Sequence, residues 1–330
     1  MRILIAGGAG YVGSVLIPKL LDRGYEVDGL DLFWFGNHLP SETGIIRKDI
    51  FEISVPDLEP YQQGVFLTGL SNDPMAEYSH SENFIFNAAA PAYPGLGRKK
   101  GQGETLRLCQ LLLGVRIHRQ RVVRRNPAGF FVLSLRNLKA PGRTGRDELS
   151  RRRILGHLSA QRNHFRLQPA YAPGLNRQHH VKNGVRNCEI TVNNPSIWRP
   201  IMSIEDATNG YTRAIEASQK ISGIFNIASG NYTVGEVGDL VKMAIEEQLG
   251  IRVHLTIHHK TDVRSYKVSI EKAENVLSFH ANHNVKAIVK NLIEHMDKFQ
   301  DWNNPQHYNI DTLKLLSANN SLRSLAEVAR

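Results

Sequence analysis

Short apolar runs recur along the chain and are separated by stretches of helical period. Ile3 to Ala6, Tyr25 to Leu30, Gly44 to Ile50 and Gly64 to Gly69 are continuous enough to be buried parallel strands. Tyr11 to Leu21 lies between the first two and repeats with helical spacing. Glu82 to Tyr93 reads as the start of another helix, with Asn87 on it. Further on, Glu189 to Val192, Gly223 to Ala228 and Arg252 to His258 read as strands. Glu205 to Lys220, Thr233 to Leu249, Ser269 to Leu277 and Asn284 to Phe299 read as helices. Thr233 and Glu236 form a capping box at the second of these. Alternating strands and helices predict an α/β fold, a doubly wound parallel sheet.

The first strand runs into Gly7, Gly10 and Gly13, spaced G-x-x-G-x-x-G, and then into the predicted helix. Strand, glycine turn and helix together form a cradle for a dinucleotide. Glycine permits a tight turn and close backbone approach, and the helix N-terminus faces the pyrophosphate. The second strand ends in Asp31, placed to accept hydrogen bonds from the adenosine ribose hydroxyls. Leu32 and Phe33 follow, with no adjacent Arg to receive a 2′-phosphate, which favours NAD over NADP. The alternative is a plain βαβ unit with Asp31 facing solvent. Asp49 and Ile50 close the third strand where a doubly wound sheet would meet the adenine ring, and Leu67 to Gly69 end the fourth beside the cofactor crevice. Asn87 fits a cofactor contact or an ordinary surface or capping residue.

The pattern fails in the middle. Between Pro94 and Val181 stand 19 Lys and Arg against 3 Asp and Glu, whereas the rest of the chain carries 22 against 28. The formal charge of +10 therefore arises in one segment of an otherwise mildly acidic protein. No steady strand–helix alternation can be drawn there, although Leu106 to Leu113 is apolar. The segment is expected to be poorly ordered. Clustered Arg can neutralise nucleic-acid phosphates, but no recognisable nucleic-acid motif accompanies it and aromatics are sparse.

Composition narrows the picture further. The length of 330 residues suits one large or two modest domains. The pair of cysteines, Cys109 and Cys188, makes no disulfide or metal framework. His179-His180 and His258-His259 lack the Cys or carboxylate spacing of a metal site. No apolar run reaches membrane-spanning length and the chain opens on a core strand, so a soluble, cytoplasmic protein is expected.

GGAGYVG at Gly7 to Gly13, Asp31, KDI at Lys48 to Ile50 and FLTGLSNDP at Phe66 to Pro74 carry a resemblance in the first half. IWRPIMSIEDA at Ile197 to Ala207 and GIFNIASGNYTVGEV at Gly223 to Val237 carry it in the second. These stretches resemble the extended short-chain dehydrogenase/reductases of the NAD-dependent epimerase/dehydratase, nucleotide-sugar type. The resemblance covers roughly residues 1–93 and 182–310. It implies a Rossmann-type domain and a smaller C-terminal α/β domain for a nucleotide-linked sugar. The chain then divides into the N-terminal part of the NAD domain (1–93), the anomalous basic segment (94–181), a C-terminal part with the substrate subdomain (182–310) and a peripheral tail (311–330).

The resemblance also implies roles for single residues. Gly7, Gly10, Tyr11, Val12 and Gly13 would hold the pyrophosphate and Asp31 the ribose. Asp49 and Ile50 would meet the adenine, and Leu67, Thr68 and Gly69 would line the nicotinamide side. Arg199 would contact a substrate phosphate, or else serve as a surface ion-pair residue. Family members use bound NAD as a transient hydride acceptor, and many are homodimers through helices of the NAD domain.

Such enzymes need a Tyr as general acid/base, a Lys four residues later to lower its pKa, and a nearby Ser or Thr. No Y-x-x-x-K occurs, and no Tyr lies between Tyr93 and Tyr171. No catalytic residue is therefore assigned, and the chain as written reads as catalytically dead: an NAD-binding pseudoenzyme. A coding cause fits. Glu104 to Asn126 can be encoded so that the frame one base later reads KRFVYASSCSVYGYTVNELYDE, and Gly129 to Gly142 so that it reads VSSYYPYGISKLQG. In that frame the Tyr codon straddles Leu135 and Arg136, and the Lys codon straddles Lys139 and Ala140. A compensating frameshift over residues 94–181 would account for both the lost motif and the local charge.

Overall fold

The computed structural model describes residues 1–69, 107–111, 157–160, 176–218, 221, 223–259, 265–296, 311, 312 and 315. Its main sheet is built from β1 (Arg2–Ala6), β2 (Glu26–Asp31), β3 (Gly44–Arg47), β4 (Gln63–Phe66), β5 (Arg107–Leu111), β6 (His157–Ala160) and β9 (Ile224–Ile227). All pair in parallel, in the order β3-β2-β1-β4-β5-β6-β9. The order reverses direction between β1 and β4. In a doubly wound sheet that is where a crevice opens beyond the strand C-termini.

Helix α1 (Gly13–Leu21) follows β1, and a 3-10 turn (Ile50–Glu52) and α2 (Val55–Leu58) follow β3. Ile3 and Ile5 of β1 bury against Leu16, Ile17 and Leu20 of α1 on one side of the sheet. Leu4 and Ala6 point the other way and pack with Leu30, Ile50, Ile53, Leu58 and Phe66. Alternation along one strand thus supplies both cores, as expected of a strand covered on both faces.

After α3 (Asn176–Asn187) come β7 (Glu189–Asn193), β8 (Trp198–Ile201), α4 (Ile204–Glu216), β10 (Gly230–Thr233) and α5 (Val234–Leu249). The chain continues with β11 (His254–His258), α6 (Glu271–Leu277) and α7 (Val285–Glu294). Strands β10 and β8 pair antiparallel, and β11 and β7 pair in parallel. Ile190, Val192, Val237, Val241, Ile245, Val289 and Leu292 form a separate apolar core for this smaller unit. Helix α4 packs instead into the main core through Ile204, Ala207, Tyr211 and Ile215.

The sequence pattern located most of these elements, with ends displaced by a few residues. The capping box at α5 is present: Glu236 N–H donates to Thr233 Oγ1 at 3.1 Å, and Thr233 N–H to Glu236 Oε2 at 2.6 Å. Gly250 ends the helix at φ 67°, a left-handed backbone that favours glycine.

Of the basic segment, only residues 107–111, 157–160 and 176–181 are among the described ones. Arg107–Leu111 and His157–Ala160 are sheet strands, and Asn176–Asn187 is a helix. The apolar stretch from Leu106 to Leu113 contains the first of these strands. Hydrogen bonding to β4 and β9 assigns both strands by their place between neighbours, information that local periodicity lacks. The expectation of poor order otherwise falls on residues outside the described ones, as do the helix from Glu82 and Asn87. Among the described residues no helix is long and apolar enough to cross a membrane.

Candidate functional site: a nucleotide cradle

The C-terminal ends of β1, β2 and β4 converge on one turn. Gly7 N–H and Gly8 N–H both reach the Leu30 carbonyl oxygen, at 2.8 and 3.3 Å, and Gly10 N–H donates to the Gly7 oxygen at 3.1 Å. Gly7 has φ +82°, and a Cβ there would stand 2.8 Å from Thr68 N. At Gly13 a Cβ would meet the Gly8 and Gly7 oxygens at 2.3 and 2.6 Å. These two glycines are therefore demanded by backbone approach. Gly10 is less constrained, its hypothetical Cβ meeting only the Gly7 oxygen, at 3.2 Å.

Helix α1 starts on this turn with Val12 at its N-cap, no side-chain cap and no acidic residue in the first turn. Its leading N–H groups and positive dipole end thus have no carboxylate competitor from those positions, which suits a bound pyrophosphate. The Val12 side chain is buried in the main core and Tyr11 packs against that core. Only the Val12 backbone is therefore placed for the phosphate contact expected of it.

Asp31 closes the cradle at the end of β2. Its Oδ2 accepts the Ala9 N–H at 3.1 Å and its Oδ1 accepts the Phe33 N–H at 2.9 Å. Burial raises the Asp31 carboxyl above the usual carboxylate range; the hydrogen bonds from Phe33, Ala9 and Leu32 N–H, and the charge of Arg47, oppose that rise without cancelling it. A carboxylate already paired with the glycine turn, at the place where an adenosine ribose would lie, fits a dinucleotide.

The remaining first-half candidates divide. Leu67 N–H continues the β1 ladder to the Ala6 oxygen at 2.8 Å, and its side chain packs against the main core. Thr68 Oγ1 is buried without a hydrogen-bond partner among the described residues, a polar atom well suited to a ligand. Gly69 is exposed. Asp49 caps the 3-10 turn by accepting the Phe51 N–H at 3.0 Å. Ile50 is 3% exposed and lies in the core beneath β1 and β2.

Spacing along the chain missed an important neighbour. No Arg adjoins Asp31 in sequence, but parallel register pairs Asp31 of β2 with Arg47 of β3. The Arg47 guanidinium lies 4.9 Å from the centroid of the Phe33 ring. Phe33 is 6% exposed and holds φ +57°, an uncommon conformation for an aromatic residue. The argument for NAD from the lack of an adjacent Arg therefore holds along the chain but not in space.

Arg199 belongs to a separate group on β8. Its Nη1 donates to the Trp198 oxygen at 2.9 Å, and its guanidinium lies 5.5 Å from the Tyr266 ring centroid. Lys267 Nζ sits 3.4 Å from the Trp198 ring centroid. The strap 265–268 is held to this surface. Trp198 N–H donates to Ser265 Oγ at 3.1 Å, and Asn231 exchanges two 2.9 Å hydrogen bonds with the Val268 backbone. Cations over aromatic faces make a surface able to take an anionic, ring-bearing ligand. Among the described residues no cluster of His, Cys, Asp or Glu could hold a metal ion.

The fold and this cradle define an α/β protein of the Rossmann type. Residues 3–91 match the NAD dependent epimerase/dehydratase family. The chain is 40% identical over 55 residues to the UDP-glucose 4-epimerase of Corynebacterium glutamicum, covering 16% of this chain and 17% of that protein. It is 44% identical over 59 residues to UDP-glucuronic acid decarboxylase 1 of Arabidopsis thaliana, covering 16% and 14%. The matching stretches thus span well under two thirds of these relatives. Among solved structures, the UDP-glucuronic acid 4-epimerase of Bacillus cereus, in complex with UDP-glucuronic acid and NAD, superposes with a TM-score of 0.67. The match has 16% identity and covers 91% of this chain and 100% of that one. The UDP-glucose-4-epimerase of Stenotrophomonas maltophila gives a TM-score of 0.67 at 16% identity. These likenesses establish a shared fold.

Proposed function

We propose that the chain binds NAD at the glycine cradle and a nucleotide sugar beside β8, on the scaffold of an NAD-dependent nucleotide-sugar epimerase/dehydratase. The observation that carries this reading is the Asp31 carboxylate held at the glycine turn by Ala9 N–H. Gly7 and Gly13 let backbone amides approach the pyrophosphate, α1 directs its N-terminus at it, and Asp31 accepts the ribose hydroxyls. Thr68 offers a hydroxyl at the end of β4. When bound, NAD supplies reversible hydride transfer to and from a sugar carbon. Arg199, with Trp198, Tyr266 and Lys267 around it, is the group for the nucleotide diphosphate. The proteins that match in sequence and fold, whose names specify UDP-sugars, support this substrate class.

In the chain as written this is a binding function without turnover, because the sequence contains no Y-x-x-x-K to exchange the sugar hydroxyl proton. The frameshift reading attributes the loss to residues 94–181. Two measurements test the proposal. Titration of the full chain with NADH, followed by nucleotide fluorescence, should saturate, and UDP-glucose or UDP-glucuronate should show no conversion in its presence. Failure to bind NADH overturns the cradle assignment, whereas conversion of either sugar overturns the non-catalytic reading. Resequencing codons 90–185 decides the coding question: an extra base near codon 94 and a missing base near codon 181 support the frameshift, and an intact frame rejects it.

A further inference from the structure

Arg47 is the feature that the NAD reading leaves unused. It is register-paired with Asp31, exposed, and stacked on Phe33 immediately after β2. A carboxylate at this position selects for free ribose hydroxyls because a 2′-phosphate would lie against a like charge. Here the same place holds a guanidinium as well, 4.9 Å from the centroid of the Phe33 ring, and a guanidinium presents a fork of donors that matches phosphate oxygens. The cation comes from the neighbouring strand, so it does not displace Asp31 and both groups border the same ribose.

We propose that Arg47 gives the cradle a second mode, in which a 2′-phosphorylated dinucleotide binds with its extra phosphate on the Arg47 guanidinium. The inference rests on the cradle reading above. In the NAD mode Arg47 stays on Phe33 and makes no required contact with the nucleotide.

The test titrates the full chain with NADH and with NADPH, reading nucleotide fluorescence, for the native protein, Arg47→Gln and Arg47→Lys. The native chain should hold NADPH within about tenfold of NADH. Arg47→Gln should weaken NADPH by about tenfold or more and leave NADH within about twofold. Arg47→Lys should recover part of the NADPH affinity, and salt should weaken NADPH more steeply than NADH because the added contact is between charges. Normal NADH binding with no measurable NADPH binding overturns this inference alone. Equal loss of both nucleotides in Arg47→Gln also overturns it, showing that Arg47 merely covers Phe33. Failure of both nucleotides to bind the native chain removes the cradle reading and this inference with it.

Discussion

Ala9 N–H and Asp31 Oδ2 lie 3.1 Å apart across 22 residues of sequence. This bond fixes the glycine turn of β1 to the end of β2, so the group proposed for the ribose also shapes the turn proposed for the phosphates. Asp31→Ala should therefore affect binding and stability together. Loss of hydrogen bonds to a charged group costs about 1.5–3 kcal/mol, so NADH affinity should fall by roughly tenfold to a hundredfold. Asp31→Asn keeps a carbonyl acceptor for Phe33 or Ala9 and should retain more stability than affinity. Chemical denaturation beside NADH titration separates the two effects, and an unchanged NADH affinity in both variants would reject the ribose role.

Acid should weaken NADH binding earlier than an ordinary Asp would allow. In the proposed complex the ribose hydroxyls donate to the ionised carboxylate, so affinity is lost when Asp31 takes up a proton. Burial raises its folded pKa, and the onset should lie above the usual value of about 3.9. For the unliganded fold the sign is opposite: the favourable contribution of a raised acid is full below its unfolded pKa and is lost as pH rises through the folded one. Affinity measured against pH should show this early onset in the native chain, and Asp31→Asn should flatten that part of the profile.

The glycines should rank by the atoms a methyl group would meet. Gly13→Ala drives a Cβ to 2.3 Å from a backbone oxygen, and Gly7→Ala combines a 2.8 Å approach to Thr68 N with φ +82°. Left-handed strain alone costs about 1–3 kcal/mol, and the clashes add to it. Gly10→Ala faces one contact at 3.2 Å and should be the mildest. Melting temperatures of the three variants check the order, and a Gly10→Ala as damaging as Gly13→Ala would contradict it.

The cradle was legible because its signals are local. Gly7, Gly13 and Asp31 sit at fixed distances within one strand–turn–helix–strand unit, and the glycine requirement follows from backbone geometry. Arg47 was not legible, since its nearness to Asp31 exists only through the β2–β3 register. The short strands Trp198–Ile201 and Gly230–Thr233 were missed for a similar reason. Pro200 and Gly230 obscure their local propensity, and antiparallel pairing with each other defines them. The Ile50 side chain fills the core under β1, which leaves its backbone for the adenine contact that its position suggests. Asp206 stands out in the sequence only as part of a family-like stretch, whereas the three residues that bond its carboxylate, Ser229, Asn282 and His283, lie 23 to 77 positions further along the chain.

Those partners make Asp206 the clearest case for an acid-sensitive joint. The residue is 1% exposed, at the start of α4. Its Oδ2 accepts from Ser229 Oγ at 2.6 Å and His283 N–H at 3.2 Å; its Oδ1 accepts from Asn282 N–H at 3.0 Å and lies 2.9 Å from His283 Nδ1. Burial pushes the Asp206 carboxyl up, but the hydrogen bonds from Ser229, His283 and Asn282 together outweigh it, and the net direction is down. A lowered acid contributes stability that is present above its unfolded pKa, about 3.9, and is lost as pH falls through the folded value. Asp206→Ala leaves buried donors without their acceptor and should cost about 3–5 kcal/mol at neutral pH. Asp206→Asn keeps the shape but turns amide hydrogens toward existing donors, and should cost about 1–3 kcal/mol. Urea titrations at pH 7 and at successively lower pH should show the gap between native chain and Asp206→Asn closing as acid protonates the native carboxylate. A gap that stays constant down to pH values well below about 3.9 would mean that packing around Asp206, and not its charge, joins α4 to the Ser229 turn and the segment before α7.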